Sequence, residues 1–211
     1  MRRRLLLLAL VVLTVIAVPA ALATGATSRP FNAMSAAGGS DASTTWVSKR
    51  FGYRATLPGQ WFVSYAVVPW LGGFLYGDTT PDTDNISDMG DRKFKVAAKR
   101  VPAGTTLLDW TASHVKTMES FSIAGKPLCH KSRAFRDTKL GGEPAREFQN
   151  ACLGNDVIVV TAVHGGLGYA VQFVSPTRNS AASDHRTFDA GLRSFRFTKK
   201  VVLGLPLTAT G

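Results

Sequence analysis

Residues 129–152 read CHKSRAFRDTKLGGEPAREFQNAC, and this stretch decides the fold. If Cys129 and Cys152 face each other across two antiparallel strands, the fold-back falls between Leu140 and Gly141. There Leu140-Gly141-Gly142 separates two strand-like runs. Cysteine spacing and turn chemistry point independently to one hairpin, and a bulge would shift its register. The chain has 2 cysteines in 211 residues. In an oxidising compartment such a pair reads as a structural disulfide, not as a metal pair or a nucleophile. Closing the loop is worth about 3 kcal/mol in the chain-entropy account.

Outward from the hairpin, Val157 to His164 and Gly168 to Ser175 form two more strands around the turn Gly165-Gly166-Leu167. The first is rich in Val and Ile, as a central strand should be. Ala181 to Leu192 reads as a helix with Phe188 and Leu192 on one face, and Phe195 and Phe197 mark a short closing strand.

Upstream, Phe51, Tyr53, Ala55 and Leu57 alternate with smaller or polar residues, the signature of a half-buried strand. Pro58-Gly59 turns the chain, and Trp61 to Val68 reads as the next strand. Asp78 to Asp91 reads as a polar loop, followed by a strand in which Phe94, Val96 and Ala98 alternate with Lys93, Lys95 and Lys99 on a wet face. Pro102-Ala103-Gly104 leads into a helix that Thr106 and Asp109 cap, with Leu108, Thr111, Val115 and Met118 at helical spacing. The order strands, helix, four antiparallel strands, helix, strand is an α+β arrangement with helices on an antiparallel sheet.

The N-terminus sets the compartment. Arg2, Arg3 and Arg4 precede an apolar run from Leu5 to Ala17; Pro19 breaks it, and Ala21-Leu22-Ala23 supplies the small residues of a signal-peptidase site. Residues 1–23 are therefore expected to be a cleaved signal peptide on a secreted, extracytoplasmic protein. The alternative is an uncleaved membrane anchor, since Leu5 to Ala23 approaches the roughly 20 residues a span needs. Residues 24–45, rich in Ala, Gly, Ser and Thr, read as a flexible linker. Residues 46–200 read as the folded domain and 201–211 as a tail.

The chain carries 25 Lys and Arg against 14 Asp and Glu, a net charge of +11 that falls to +8 when the leader's three arginines are removed. Outside a cell, such a surplus suits anionic lipid headgroups or phosphate-bearing wall polymers, and nucleic acid is not an expected partner. The competing account is solubility alone.

Several short motifs resemble the PsbP-like domain family. Leu57-Pro58-Gly59-Gln60-Trp61 is similar to its strand-closing "Y-P-x-G-W". Residues Pro102 to Trp110 resemble its lead-in to the first helix, and Leu140 to Ala145 its "l-x-G-x-p-A" hairpin. Tyr169 and the closing Leu192-Arg193-Ser194-Phe195-Arg196-Phe197 also match. The motifs are individually weak, and their order and spacing from Trp46 to Thr198 carry the resemblance. It implies an α-β-α sandwich with a central antiparallel sheet, and an accessory or binding role with no shared catalytic residues. It extends to actinobacterial LpqN-type lipoproteins, from which this chain departs by lacking an anchoring cysteine.

No catalytic constellation is recognised: there is no Gly-x-Ser-x-Gly elbow, and His114, His130, His164 and His185 are scattered. No cofactor or metal is expected. The acidic run Asp78, Asp82, Asp84, Asp88 and Asp91 fails the EF-hand pattern and reads as a solvated loop. Lys93, Lys95 and Lys99 are the candidate patch for an anionic partner, against a guard role on an edge strand. Trp61, Trp70, Phe74 and Tyr76 are the candidate lining of a ligand groove, against ordinary core filling. The expectation is a secreted, non-enzymatic binding or accessory domain. Its partner would be an envelope protein, lipid or wall polymer, with transient contact to a membrane surface. An envelope hydrolase with an unrecognised site, or a tethered structural protein, is the alternative.

Overall fold

The computed structural model describes residues 42–73, 81–176 and 181–198. Strand β1 (Ser43–Ser48) pairs with β2 (Tyr53–Pro58), and β3 (Phe62–Ser64), β4 (Asp84–Ser87) and β5 (Lys93–Arg100) follow. Helix α1 (Leu107–Ser120) comes next, then the small hairpin β6 (Ser122–Ile123) and β7 (Lys126–Pro127). Strands β8 (Arg133–Leu140), β9 (Glu143–Cys152), β10 (Asn155–His164) and β11 (Leu167–Pro176) form a meander. Helix α2 (Ala181–Ser194) and β12 (Arg196–Phe197) close the described chain.

Seven strands build the main antiparallel sheet in the order β3-β4-β5-β11-β10-β9-β8, and β1-β2-β12 form a second sheet. The fold is α+β, mostly antiparallel sheet with two helices. Period-2 alternation assigns the faces. Phe94, Phe173 and Ile158 lie opposite one another on one face, where the α2 residue Phe188 sits 5.8 Å from Phe94 and 5.7 Å from Phe173. Phe148, Val159 and Gln172 share the other. There His114 of α1 lies 6.4 Å from Phe148, and Thr111 shares a 2.7 Å hydrogen bond with Thr161 two residues along from Val159. All ten residues of β11 are consequently buried.

Local chemistry explains α1. Thr106 accepts from the Asp109 amide, and the Asp109 carboxylate accepts from the Thr106 amide, a complete capping box. The buried face is Trp110, Thr111, His114 and Met118. Leu108, expected to follow the same spacing, is 65 % exposed. The helix is rotated so that Trp110 can donate its indole N–H to the Tyr169 carbonyl at 2.8 Å, a bond a leucine cannot make.

The disulfide Cys129–Cys152 forms, with Cα atoms 4.1 Å apart. The turn falls on Gly141-Gly142, one residue later than the cysteines alone predict. Near the turn Leu140 faces Glu143 and Arg136 faces Glu147; the register then shifts, so that Arg133 faces Gln149 and Cys129 faces Cys152. Ala134, with φ 52°, lies within the shift.

Three other expectations are corrected. Pairing begins at Ser43, inside the stretch read as linker. The strand expected over Trp61 to Val68 is confined to Phe62–Ser64, because the Ala66 and Val67 carbonyls accept from Arg50, and the Val67 and Val68 amides donate to Pro81. The polar stretch before β5 contains β4, in which Ile86 is fully buried and faces Phe94.

Candidate functional site

Lys93, Lys95 and Lys99 do share a strand face, but its centre is covered, with Lys93 and Lys99 half-buried on either side. Lys95 is 1 % exposed, opposite the fully buried Gln172 and flanked by Asn85 of β4. Lys99 reaches to 5.6 Å from the Trp110 ring. The segment that carries Gly72 lies over it so closely that a Cβ at Gly72 would collide with the lysine side chain. Lys95, the middle residue of the expected patch, is therefore not accessible.

The expected aromatic groove is likewise core where it is described. Trp61 is 7 % and Trp70 2 % exposed. Trp70 packs edge-on to Trp110 at 6.0 Å and approaches His114 at 5.9 Å. Phe74 and Tyr76 lie outside the described residues. His114 is enclosed by Trp70, Trp110 and Phe148, and burial, helped by the Lys99 charge, lowers its pKa to about 4. It is a neutral packed imidazole at pH 7.

Asp84 and Asp88 of the acidic run are structural, Asp91 is exposed, and Asp78 lies outside the described residues. Asp84 is fully buried, accepting from the Tyr53 hydroxyl and the Ala66 amide, both at 2.8 Å. Trp46 donates to the same Tyr53 oxygen at 3.0 Å. Burial pushes the Asp84 carboxyl up. Asp88 closes the turn to β5 by accepting from the Gly90 and Arg92 amides. No group of three metal-ligating side chains converges among the described residues.

Ser175, Asp184 and His185 meet at a cavity of about 190 Å³ between β10, β11 and α2. The types invite a nucleophile–base reading, but the geometry is different. The Ser175 hydroxyl donates directly to the Asp184 carboxylate, which also lies 3.8 Å from Arg92. His185 makes no hydrogen bond to either residue among the described residues, so no imidazole is placed to take the serine proton.

The accessible apolar site lies between α1 and the β8–β9 edge. A cleft of about 700 Å³ is lined by Leu108, Ala112, Val115 and Phe135, with Lys116, Glu119 and Arg146 at its margin. Leu108 is 65 % and Phe135 44 % exposed. Most polar groups around them are engaged within the fold. Arg146 pairs with Asp137 at 2.7 Å, Glu119 accepts from the Ser132 amide at 2.7 Å, and Thr111 bonds the Leu107 carbonyl and Thr161. Phe135 stacks on Phe148 at 5.4 Å, which braces the ring at the surface. The signal in the sequence was Phe135 itself, a lone aromatic in a strand whose neighbouring residues Arg133, Arg136, Asp137, Thr138 and Lys139 are polar or charged.

Comparison with known proteins bears on the fold alone. No protein-family model and no curated protein matches the chain. Among solved structures, cyanobacterial PsbP (CyanoP) from Synechocystis matches with a TM-score of 0.55 at 13 % identity, covering 80 % of this chain and 99 % of that one. LpqN of Mycobacterium tuberculosis, described as involved in cell envelope biogenesis, gives a TM-score of 0.41 at 11 % identity, covering 77 % and 87 %. A Bacteroides thetaiotaomicron protein gives 0.43 at 9 %, covering 74 % of this chain and 48 % of its own.

Proposed function

We propose, taking the PsbP-like fold as the premise, that this chain is a secreted, non-catalytic binding or accessory domain acting at or outside the cell envelope. In this reading the domain is the family's α-β-α sandwich, and it holds the apolar part of a partner in the cleft between α1 and β8. The observation that carries the reading is the uncommitted apolar lining of that cleft. Leu108 and Phe135 stand in solvent beside Ala112 and Val115, while the neighbouring Arg146, Glu119 and Thr111 are engaged by Asp137, the Ser132 amide and Thr161. Exposed apolar surface of this kind marks a place where something docks.

The extracytoplasmic part of the reading is supported by the leader-like N-terminus and by the Cys129–Cys152 bridge, which persists in oxidising spaces. Among the described residues no helix is long and apolar enough to cross a membrane. Mass spectrometry of the secreted form should find Thr24 first; an intact leader would favour the tethered alternative.

Binding is tested with a dansylated fatty acid, whose emission rises on entering an apolar site. The native protein should raise it saturably, and the double variant Leu108→Asp/Phe135→Ser should not, at unchanged melting temperature. Equal responses from both proteins, or none from the native one, would end the reading.

A further inference from the structure

The hairpin turn and the end of α2 enclose a second depression, of about 420 Å³, lined among others by Lys139, Gly142, Asp189, Arg193 and Arg196. Its size lies within the range of roughly 300–1,000 Å³ typical of small-ligand sites. Arg196 of β12 stands directly opposite Arg54 of β2, and both are exposed. Like charges directly opposite on neighbouring strands repel. Lys139 and Arg193 line the depression together with Arg196, so its surroundings are strongly cationic.

No ion pair among the described residues neutralises this group. Asp189 lies in the lining itself, with Arg136 as its ion-pair partner at 3.9 Å, while Glu143 pairs with His164 at 2.9 Å and Asp137 with Arg146 at 2.7 Å. The geometry is also fixed in advance. Nη1 of Arg196 donates to the Arg193 carbonyl at 2.7 Å and to the Phe195 carbonyl at 2.6 Å. Its remaining guanidinium N–H groups make no hydrogen bond among the described residues. An arginine braced on its own backbone, with the rest of its fork free, suits an oxyanion that accepts two bonds side by side. Gly142 keeps the rim open, since a Cβ there would meet nothing within 4 Å.

We infer that Lys139, Arg193, Arg196 and Arg54 form a binding site for a phosphate group carried as a phosphoester or phosphoanhydride. The site is separate from the apolar cleft and does not depend on what that cleft holds. It is distinct from the lysine set expected on β5, whose middle residue Lys95 is buried. Such a phosphate is offered either by an anionic lipid headgroup or by a soluble or polymer-borne phosphate, and the experiment separates the two.

Native protein is titrated with inorganic pyrophosphate by calorimetry at low ionic strength, and in parallel with phosphatidylglycerol–phosphatidylcholine vesicles and with phosphatidylcholine vesicles alone. The double variant Lys139→Glu/Arg193→Glu spares Arg196, which braces the α2 end. Lys131→Glu reverses a single charge elsewhere on the surface. Binding of either phosphate ligand should weaken by roughly tenfold or more in the double variant, as expected for lost charge-assisted contacts, and stay unchanged in Lys131→Glu. A vesicle response confined to phosphatidylglycerol identifies a lipid source, and a response to pyrophosphate alone identifies a non-lipid one. Pyrophosphate should also raise the melting temperature of the native protein and not of the double variant, a difference that a merely structural cluster would not produce. Failure of both phosphate ligands to bind native protein, or equal binding by the double variant, would overturn the assignment.

Discussion

Arg136 grips Glu147 across the β8–β9 hairpin at two points, 2.8 and 2.9 Å, with the carboxylate side chain 2 % exposed and the guanidinium side chain 56 % exposed. Such a pair is asymmetric in its energetics. Removing the arginine strands a sealed carboxylate, whereas neutralising the glutamate leaves an open guanidinium that water can serve. Arg136→Ala should therefore cost about 2–3 kcal/mol, below the full buried-pair figure because solvent reaches one side. Glu147→Gln, which keeps an accepting oxygen, should cost about 1 kcal/mol. Urea unfolding at pH 7 checks the order; equal losses would show that the carboxylate is not sealed in solution.

His114 makes stability depend on pH. Its pKa falls from 6.5 to about 4 in the fold, because burial among Trp70, Trp110 and Phe148 and the Lys99 charge both disfavour the imidazolium. Between those values the unfolded chain binds the extra proton and the folded one does not. The neutral-imidazole contribution is thus complete above pH 6.5 and is lost as pH falls toward 4, amounting to about 3 kcal/mol. Asp84 works in the opposite direction, since its carboxyl is raised by burial: its penalty is absent below the ordinary value of 3.8 and grows as pH rises through the raised one. Unfolding free energies of native protein and His114→Gln, measured from pH 7 to pH 4.5, should converge as the pH falls. Parallel curves would place the acid sensitivity elsewhere.

Trp110 and Leu108 lie two residues apart and should respond oppositely to truncation. Trp110 is 4 % exposed and its indole serves the Tyr169 carbonyl, so Trp110→Ala should cost about 3–5 kcal/mol. Leu108→Ala should stay within about 0.5 kcal/mol, because the side chain stands largely in solvent. Denaturant midpoints of the two variants decide this. A large loss at Leu108 would mean that the cleft is closed in solution and that the helix face read from spacing was correct.

That contrast shows where sequence was sufficient and where it was not. The meander from β8 to β11 was legible because each turn contains glycine and β10 and β11 are rich in apolar or β-branched residues, with the cysteines an independent check on the pairing of β8 and β9. The start of α1 followed from Thr106 with Asp109 and the presence of α2 from the apolar spacing of Phe188 and Leu192, whereas the end of α1 at Ser120 and the small hairpin after it were not legible. The sites were not legible, because period-2 alternation says which residues share a face but not whether another layer covers it. Lys95 alternates as a surface lysine should and is nevertheless buried. The cationic cleft joins β8, α2 and β12, elements far apart in sequence, and no local pattern brings Arg54 of β2 opposite Arg196.

Gly141 and Gly142 occupy the two positions of the hairpin turn with φ of 61° and 96°, the left-handed pair such a turn requires. Their tolerance of a side chain should nonetheless differ. A Cβ on Gly141 would fall 2.6 Å from the Phe197 ring, and that ring has little freedom to retreat. It stacks on His164 at 4.0 Å and is bounded by Tyr169 at 4.9 Å and Phe195 at 5.3 Å. A Cβ on Gly142 meets nothing within 4 Å. Gly142→Ala therefore carries backbone strain alone, about 1 kcal/mol, a fall in melting temperature of about 2–4 °C. Gly141→Ala adds a steric conflict to the same strain and should cost about 3 kcal/mol, with a fall of about 6–12 °C. Calorimetric melting of the two variants tests the difference. Equal falls would show that Phe197 is free to move, and with it the β12 strand that sets Arg196 opposite Arg54.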